Sequence, residues 1–568
     1  MAVNMTAQSI AVGDNWVKVG NDYIGDNPSG GFTGDWQLSA TNYVDRVIDP
    51  ELIFPRPDSE TPVWAKHRRH HPSVPYRIPI GISFGSWPFY FEAISVPSGA
   101  TVGSFLTASG DKLIVGDDYG VVEWTNPTAG NHSFHIRVHF QDGYAPLDVQ
   151  WTLEVTTAGT IFIDPTALDN TGAGTIADPF KTIDAWYLND LTDTTYSQYQ
   201  VCYRGGAHNV SADNSLTGVN YGNWQLNGND KPLVHYGYSG EAVTFDMSNT
   251  TVVVGFTAGQ GTGPHGSDMF FSNIIFSGAN AVSNPKQFVL YSNAGDRVYT
   301  AGQNEQRITF FEVEHATFTN TLDASNNAGI LWAENAGTGK KRHYWLASRV
   351  TMRDYKDTTA GDGSAALNFN GYYVSNSVNH LYENSTVDGC DFGVSPYALK
   401  SGGINFCQRN VEVTNTPMYF QIGTIGGYDL LEGGGHEFSY CKLDAPTGLQ
   451  GWLLLMNYGY DAYDSGNANH KPVYLTRNTL RQAEPEAANV CLIRSGGSWP
   501  FYMYGNFCQV DDMWYDVGNQ ENENSADLND FVQVTASESA LDASLNLITT
   551  YRTANLGQYG AEVINENN

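Results

Sequence analysis

The stretch that decides the fold lies at residues 160–183 and reads TIFIDPTALDNTGAGTIADPFKTI. It opens with a short β-branched and apolar run that stops at an Asp-Pro pair, which is typical of a turn. A polar loop of Asn, Thr, Gly and Ala follows, and the Asp-Pro-Phe triplet at 178–180 leads into further apolar positions. The pattern predicts one strand, a loose polar loop and a return of the chain to the same structure.

Downstream, a short motif recurs in which a polar residue precedes alternating apolar residues and a polar turn follows. The copies are SNIIFSG (272–278), EHATFTN (314–320), SRVTMRD (348–354), ENSTVDG (383–389), RNVEVTN (409–415), SYCKLDA (439–445), TRNTLRQ (476–482) and NFCQVDD (506–512). The positions taken as equivalent are Phe276, Phe318, Met352, Val387, Val413, Leu443, Leu480 and Val510. Such a period, with one short strand per unit, favours stacked coils over propeller blades. We therefore expect these apolar side chains to share one interior column.

Residues 160–183 closely resemble the segment that starts the first coil of right-handed parallel β-helix (pectin-lyase-like) proteins. In those proteins a strand and a Gly/Asn/Asp loop precede a motif of the DPFKTI type, which this chain carries at 178–183. The resemblance covers about residues 160–540. It implies an all-β chain whose main part is a right-handed parallel β-helix, in which each coil adds short strands to a continuous core.

The segment before the β-helix has short alternating strands separated by Pro, Gly, Asn and Asp turns, which is the pattern of a β-sandwich. The runs YGVVEWTNPTAGNHSFHIRV (119–138) and WTLEV (151–155) resemble Ig-like, cadherin-like modules. We therefore predict four parts. They are a small N-terminal attachment module with a linker at 1–72, an Ig-like β-sandwich at 73–157, the β-helix at 158–518 and a C-terminal cap or tail at 519–568.

Composition and charge argue against some classes of binding partner. Charged residues make up 16% and aromatic residues 13% of the chain, and the formal net charge is −31. A negative charge of this size repels nucleic acids and anionic membranes, so we expect neither as a partner. No apolar run approaches the roughly 20 residues that a membrane-spanning helix needs, and no secretory signal is visible. The six cysteines form no CxxC pair and are expected to be mostly buried free thiols.

The only cluster of basic residues is KHRRHH at 66–71, in the Pro-punctuated stretch before the sandwich. Histidines at this density are suited to sensing pH or to holding a metal. The simpler interpretation is a solvated linker or a contact with another subunit, because runs of like charge usually remain in solvent.

Two successive motifs carry carboxylates at the same spacing. RDYKD supplies Asp354 and Asp357, and DGCDFG supplies Asp388 and Asp391 one coil later. Glycoside hydrolysis needs two carboxyl groups flanking the bond, one protonated and one ionised. Carboxylates stacked on adjacent coils, about 4.8 Å apart, repel each other and so separate their pKa values into an acid and a base. The structural alternative is that these aspartates only end strands, since Asp is a favoured turn residue.

A second chemistry is β-elimination on a uronic acid, which needs a base and a cation beside the substrate carboxylate. The run YALKSGGINFCQRN offers Tyr397, Lys400 and Arg409, with His436 one coil further on. Its KSGGxN pattern resembles the lysine-bearing coil of β-helix lyases. Surface salt bridges are the alternative explanation for the two cations.

Further residues are candidates for holding a sugar. The glycine-rich GGGHEF at 433–438 predicts a loop where backbone approaches a ligand closely. The hexapeptide GSWPFY occurs at 85–90 and again at 497–502, and its rings suit stacking on sugars, although a shared packing role would also explain the repeat. The predicted substrate-binding residues are Glu432, Glu437, Trp452 and Trp499.

An N-terminal adaptor, a small β module and a β-helix together resemble bacteriophage tailspikes, and carboxylates on two adjacent coils are similar to those of hydrolytic tailspikes. The resemblance implies a homotrimer, on a virion tail or extracellular after lysis, that binds and cleaves a bacterial surface or extracellular polysaccharide. Residues 1–72 would contact other virion tail proteins. A polysaccharide lyase and a non-catalytic glycan-binding or structural spike are the alternatives. No HExxH or DxDxDG pattern is present in the sequence, so we expect no metal and no cofactor.

Overall fold

The computed structural model describes the chain in segments. They are residues 8–10, 17–19, 22–23, 49–57, 69–85, 87–103, 118–140, 144–182, 200–209, 233–246, 254–257, 268–281, 288–291, 305–320, 329–332, 342–357, 365–371, 378–388, 392–398, 404–414, 418–424, 436–445, 454–458, 473–476, 479–482, 491–495, 501–504, 507–517, 531–536, 550–552 and 563–565. Within these segments the regular elements are all strands. No helix of the described residues is long and apolar enough to cross a membrane.

The strands before residue 160 form small sheets, and most of their pairings are antiparallel. They are β1 Gln8–Ile10, β2 Val17–Val19, β3 Asp22–Tyr23, β4 Glu51–Phe54, β5 Arg69–His70, β6 Tyr76–Pro79, β7 Gly81–Ser83, β8 Tyr90–Ser95, β9 Ala100–Val102, β10 Val121–Trp124, β11 Gly130–His139 and β12 Leu147–Val155. Two of the sheets have the strand orders β5-β12-β11-β8 and β6-β10-β9, and β5 joins β12 in parallel.

These two sheets pack face to face through aromatic side chains. Strands β11 and β12 alternate buried and solvent-facing residues, so one face of their sheet is apolar. On that face the rings of Phe134 and Trp151 stack with centroids 4.8 Å apart. Trp151 Nε1 donates a hydrogen bond of 3.1 Å to the hydroxyl of Tyr76 on the facing sheet. The described part of the segment therefore has the layered aromatic core of a β-sandwich.

From residue 160 onward the pairing becomes almost entirely parallel. The strands are β13 Thr160–Ile163, β14 Gln200–Tyr203, β15 Gly206–Asn209, β16 Leu233–Gly237, β17 Val243–Asp246, β18 Val254–Thr257, β19 Asp268–Ser272, β20 Ile275–Ala281, β21 Phe288–Tyr291, β22 Glu305–Phe311, β23 Glu314–Asn320, β24 Gly329–Trp332, β25 Arg342–Ser348, β26 Thr351–Asp357, β27 Ala365–Gly371, β28 Val378–Asp388, β29 Phe392–Ala398, β30 Ile404–Thr414, β31 Met418–Thr424, β32 His436–Ser439, β33 Lys442–Ala445, β34 Leu454–Tyr458, β35 Val473–Thr476, β36 Thr479–Gln482, β37 Cys491–Ser495, β38 Phe501–Tyr504, β39 Phe507–Val517, β40 Phe531–Ala536, β41 Thr550–Arg552 and β42 Val563–Asn565. Among the described strands of this set, the antiparallel pairings are those of β40 with β39 and with β41.

Most of the parallel strands form three rows, while β18 and β21 pair with each other in a separate sheet and β42 pairs with β38. The first row is β13, β14, β16, β19, β22, β25, β28, β30, β32, β35 and β38. The second row is β15, β17, β20, β23, β26, β28, β30, β33, β36 and β39. The third is β24, β27, β29, β31, β34, β37 and β39. The expectation of an all-β chain holds for the described residues, and the mostly parallel rows are compatible with a β-solenoid.

Apolar residues of the second row stack into an interior column. Met352, Val387 and Val413 pair in register on successive strands, and each is 0% exposed. The expected column is therefore confirmed for these three. Phe318 does not belong to it, because Phe318 pairs with Tyr355, and His315 occupies the position beside Met352. Outside this column, the described cysteines Cys202, Cys407 and Cys441 are buried free thiols, as expected.

A left-handed corner residue separates the first row from the second and sets the register. These corner residues are Asn273, Glu312, Arg349, Asn384, Asn410 and Tyr440, with φ between 49° and 56°. Asn adopts this region more readily than most residues, which explains the recurrent polar position in the motif. The corner of the unit that contains Phe318 is Glu312, three residues before His315, where the apolar pattern placed that corner. The shift occurred because a glutamate corner is not recognisable in sequence.

The asparagine corners can be tested by substitution. Asn410 Nδ2 donates a 2.8 Å hydrogen bond to Asn384 Oδ1 on the neighbouring strand β28. Asn410→Ala should lower the free energy of unfolding by about 2 kcal/mol, roughly half from the left-handed backbone and half from the lost bond. Asn410→Gly keeps the backbone freedom and should cost about 1 kcal/mol. Denaturant titrations of the two variants would give equal losses if the corner conformation carried no strain.

The sandwich packs on the outward side of the first row. Phe311, Leu346 and Leu381 of that row lie in the same buried cluster as the sandwich residues Ile80 and Ile82. Gly81 permits this close approach, since a Cβ there would lie 2.7 Å from Leu346 Cδ2. Polar contacts accompany the packing, including a 2.8 Å hydrogen bond from the Tyr344 hydroxyl to Glu51 Oε1. The first row is therefore buried on both faces, as is usual for parallel strands.

Two of the three histidines of KHRRHH, His70 and His71, belong to this same interface, and His67 lies outside the described residues. His70 and His71 are 7% and 5% exposed. The His70 ring lies 5.2 Å from Tyr76 and 5.6 Å from Tyr236, and His71 lies edge-on to Phe162. Interpreting these two residues as a solvated linker or an intersubunit contact is therefore wrong. Sequence spacing could not reveal that the parallel strands would cover them.

Candidate functional site

The outward side of the second row remains open to solvent where the structure describes it. Its strands alternate inward apolar residues with outward polar ones, because side chains of a strand point to opposite faces in turn. We call the part of this face from β23 to β33 the outer ladder. Its described side chains are Glu314, Thr351, Arg353, Thr386, Asp388, Glu412, Thr414 and Lys442.

Two tracks of the outer ladder run across successive strands. One track takes Glu314, Thr351, Thr386, Glu412 and Lys442 in register, and the other takes Arg353, Asp388 and Thr414. Neighbouring strands are about 4.8 Å apart, and two residues along a strand span about 6.6 Å. The Cα atoms of Asp388 and Glu412, which are diagonal neighbours, are therefore about 8 Å apart.

Each carboxylate of the outer ladder has a polar partner on an adjacent strand. Thr414 Oγ1 donates a 2.7 Å hydrogen bond to Asp388 Oδ1. Lys442 Nζ lies 2.6 Å from Glu412 Oε1. Arg353 forms an ion pair with Glu314. Each described carboxylate of the ladder is thus paired with a donor on a neighbouring strand.

The outer ladder is accessible as well as polar. The side chains of Arg353 and Glu412 are 49% and 45% exposed, and those of Glu314 and Lys442 are 31% and 24% exposed. Surface ion pairs of this kind contribute little to stability, so an incoming ligand can replace them at small cost. Chemically, the face offers hydroxyls, carboxylates and cations to an extended polar ligand.

The structure changes the geometry expected for the aspartates. Asp388 pairs with Arg353, so the step between these two strands is 35 residues and Asp354 lies one residue away from the position beside Asp388. Asp357 pairs with Asn320 on β23. Asp391 lies outside the described residues. Asp388 is thus the member of the predicted set whose side chain the structure places on the outer ladder.

The residues considered for β-elimination are spread over different rows. Arg409 is 1% exposed in the first row, and its guanidinium pairs with Glu383 at 2.9 Å under the sandwich. Tyr397 lies in β29 of the third row, and His436 begins β32 of the first row. Lys400 lies outside the described residues. The environment of Arg409 leaves a polysaccharide no access to its charge.

The residues predicted to bind sugar have different outcomes. Glu437 is 0% exposed and accepts a 2.9 Å hydrogen bond from Ser439 Oγ, so it is an interior residue. Glu432, Trp452 and Trp499 lie outside the described residues. In the first GSWPFY copy, Trp87 is 2% exposed and its ring lies 4.7 Å from that of Tyr440. That copy packs the sandwich on the first row and presents no stacking surface at Trp87.

Sequence reasoning missed Glu412 and Glu314, which share the outer ladder with Asp388. The signal was present in RNVEVTN, where a glutamate between two valines marks the outward position of a half-buried strand. Within the described segments, no group of three or more His, Cys, Asp or Glu side chains is arranged to hold a metal ion.

Comparison with known proteins gives little to add to this geometry. No protein-family model and no curated protein matches the sequence. One solved structure, described as a "putative alpha-galactosidase" from Bacteroides fragilis, aligns with 14% identity over 34% of this chain and 39% of that chain, at a TM-score of 0.15. The aligned part is less than half of either protein, and a similarity at this level supports no inference about fold or activity.

Proposed function

We propose that this chain is a right-handed parallel β-helix protein of the tailspike type, which binds a bacterial surface or extracellular polysaccharide along the outer ladder and hydrolyses it. The observation that carries the proposal is the outer ladder itself. Parallel strands in register present carboxylates, hydroxyls and cations in rows about 4.8 Å apart on a solvent-facing strip. A polysaccharide is an extended polymer with polar groups at regular intervals, which matches such a strip.

Asp388 and Glu412 are the carboxylates best suited to the reaction. An inverting glycosidase separates its two carboxyl groups by about 6.5–9.5 Å, which a Cα separation of about 8 Å can supply. The hydrogen bond from Thr414 favours the ionised form of Asp388, as a base requires. Glu412 would act as the acid once bound sugar excludes water and separates it from Lys442. Asp354, Asp357 and Asp391 remain predicted participants.

Non-catalytic binding is the second candidate function, and a specific observation favours it. Every described carboxylate of the outer ladder already has a hydroxyl or cationic partner. Such pairs present both donors and acceptors to sugar hydroxyls. A glycan-binding spike would need this arrangement and nothing more.

The proposed oligomeric state and location follow from the resemblance to bacteriophage tailspikes. The chain would assemble as a homotrimer along the axis of the coils and act on a virion tail, or outside the cell after lysis. Residues 1–72 would attach it to other tail proteins. Light scattering of the purified full chain measures the oligomeric state independently of activity.

The test is incubation of the purified chain with capsule and lipopolysaccharide from candidate hosts. Hydrolysis releases reducing ends without ultraviolet enone absorbance, and Asp388→Asn and Glu412→Gln should each lower its rate by at least about 100-fold. Asp148→Asn, on the exposed surface of the sandwich, is the matched control and should retain full activity. Enone-bearing products would indicate a lyase. Retention on glycan without products would indicate a binder, and full activity of both ladder variants would remove the outer ladder as the catalytic site.

A further inference from the structure

The first five strands of the third row contain no charged residue. They are β24, β27, β29, β31 and β34, which read GILW, AALNFNG, FGVSPYA, MYFQIGT and LLMNY. Charged residues make up 16% of the chain, so these 30 residues would be expected to include about five. In the second row, β26 alone has four charged residues among its seven. The lack of charge is therefore a property of this row and not of strands in general.

Alternation along these strands separates two sets of residues. One set is apolar and includes Leu367, Val394 and Phe420, which pair in register on β27, β29 and β31. The other set is rich in amides, and its members in register are the pair Asn368 and Ser395 and the track Asn370, Tyr397, Gly423 and Asn457. Successive residues of a strand belong to opposite faces of the sheet, so each set occupies one face. We call the face of the second set the uncharged face.

The charge of the whole chain decides which surface a second copy can contact. At a net charge of −31, two copies of the chain repel each other. The sandwich already packs on the first row, and contact through the outer ladder would bring Glu314 and Glu412 of each copy towards the acidic surface of the other. The uncharged face brings no carboxylate into such a contact, and depletion of charge is typical of the centres of protein interfaces. Contact between copies therefore meets the least repulsion at the uncharged face.

Glycan binding does not explain the absence of charge. Sugar hydroxyls donate hydrogen bonds to carboxylates and accept them from cations as readily as they bond to amides. A glycan-binding face thus has no reason to exclude Asp, Glu, Lys and Arg, and the outer ladder contains them. Amides such as those of Asn370 and Asn457 are suited to contact between copies, because an amide both donates and accepts hydrogen bonds without adding charge.

We propose that the uncharged face is the surface through which copies of this chain associate. The choice of a second copy as the partner rests on the homotrimer of the proposed function, whereas the choice of the row rests on the distribution of charge. Neighbouring strands are about 4.8 Å apart, so the track from Asn370 to Asn457 is about 14 Å long. Copies related by an axis parallel to the coils would place equivalent residues of this track at equal heights, facing one another.

The experiment introduces charge into the uncharged face and measures the molar mass of the full chain by light scattering over a range of concentrations. Asn370→Glu and Asn457→Glu should each weaken association at least about 100-fold, because equivalent residues of the copies then meet with like charge. Ser95→Glu adds the same charge at an exposed position of the sandwich, so this matched control should keep the mass of the parent.

A charge exchange separates loss of the interface from loss of the fold. Asn370→Lys should dissociate when alone, as Asn370→Glu does. A mixture of the two variants should reassemble to the mass of the parent, because opposite charges then meet across the contact. Variants that dissociate and fail to reassemble on mixing would contradict the proposal.

The outcomes also separate this proposal from the proposed function. Asp388→Asn should abolish cleavage and keep the mass of the parent. An oligomeric parent whose mass is unchanged in both glutamate variants would exclude the uncharged face as the interface and leave the homotrimer intact. Loss of glycan retention by these variants at unchanged mass would assign the face to a sugar instead. A monomeric parent would overturn both the interface and the homotrimer, while cleavage by that monomer would still support hydrolysis at the outer ladder.

Discussion

Replacing Arg409 by methionine should lower the free energy of unfolding by about 3–5 kcal/mol, because the carboxylate of Glu383 is then buried without its counter-charge. The two side chains are 1% and 6% exposed. Arg409 Nε and Nη2 lie 3.1 and 2.9 Å from Glu383 Oε2. Nη2 also donates to the carbonyl oxygen of Ile82, and the guanidinium carbon lies 4.6 Å from the centre of the Phe89 ring. One side chain thus joins two coils to the sandwich.

Denaturant unfolding of four proteins tests this role. The double variant Arg409→Met with Glu383→Leu should recover most of the loss, since replacing both members of a buried pair by apolar residues is often neutral. Arg353→Met breaks an exposed pair with Glu314 and should cost less than about 1 kcal/mol. If Arg409→Met lowered the free energy of unfolding no more than Arg353→Met does, the Arg409 side chain would have to be solvated in the folded protein. A polysaccharide would then have access to its charge.

The burial of Arg409 could not be predicted from the sequence. Its sequence neighbours suggested a lyase coil, but its environment comes from Ile82, 327 residues away along the chain. No local pattern reports a contact of that span. The packing of the sandwich on the first row could not be predicted for the same reason. Alternation in a strand shows that one face is apolar, but it does not show which part of the chain covers that face.

Other parts of the fold were accessible from sequence because they depend on local periodicity. Met352, Val387 and Val413 were placed in one column by their alternation with polar residues, and they pair in register. Phe318 was misplaced because register depends on the left-handed corner, and a non-asparagine corner has no reliable sequence signature. The sequence identified Asp388 because the carboxylates of DGCDFG repeat the spacing of those in RDYKD. Glu412 stands alone between two valines and repeats no such spacing.

Acidification should unfold the protein through its buried histidines. Burial, with a smaller contribution from the neighbouring His71, lowers the pKa of His70 from 6.5 to about 4, and hydrogen bonding to backbone opposes the shift only in part. The His70 ring lies against Tyr76 and Tyr236, and its Nε2 donates to the carbonyl oxygen of Val74 at 2.8 Å. The neutral ring fits this site, and a charged ring would lose its hydration.

The sign and size of the effect follow from proton linkage. Between pH 6.5 and about 4 the unfolded chain binds a proton at His70 that the folded chain does not, so stability falls as the pH falls. The stabilisation is complete above pH 6.5, and a shift of 6.5 − 4 units corresponds to about 3 kcal/mol. His235, whose pKa burial lowers to about 3, extends the loss further into acid.

Substitution of His70 isolates its share from that of the carboxylates, which also titrate in this range. His70→Phe keeps an aromatic ring between Tyr76 and Tyr236 and removes the titrating group. It should be less stable than the parent at pH 7, because Val74 loses its hydrogen bond, yet lose about 3 kcal/mol less between pH 6.5 and 4. Ser95→Ala, at an exposed position that carries no titrating group, should leave the pH dependence as in the parent. Equal slopes for His70→Phe and the parent would mean that acid reaches His70 without unfolding, and that the sandwich opens away from the first row at this point.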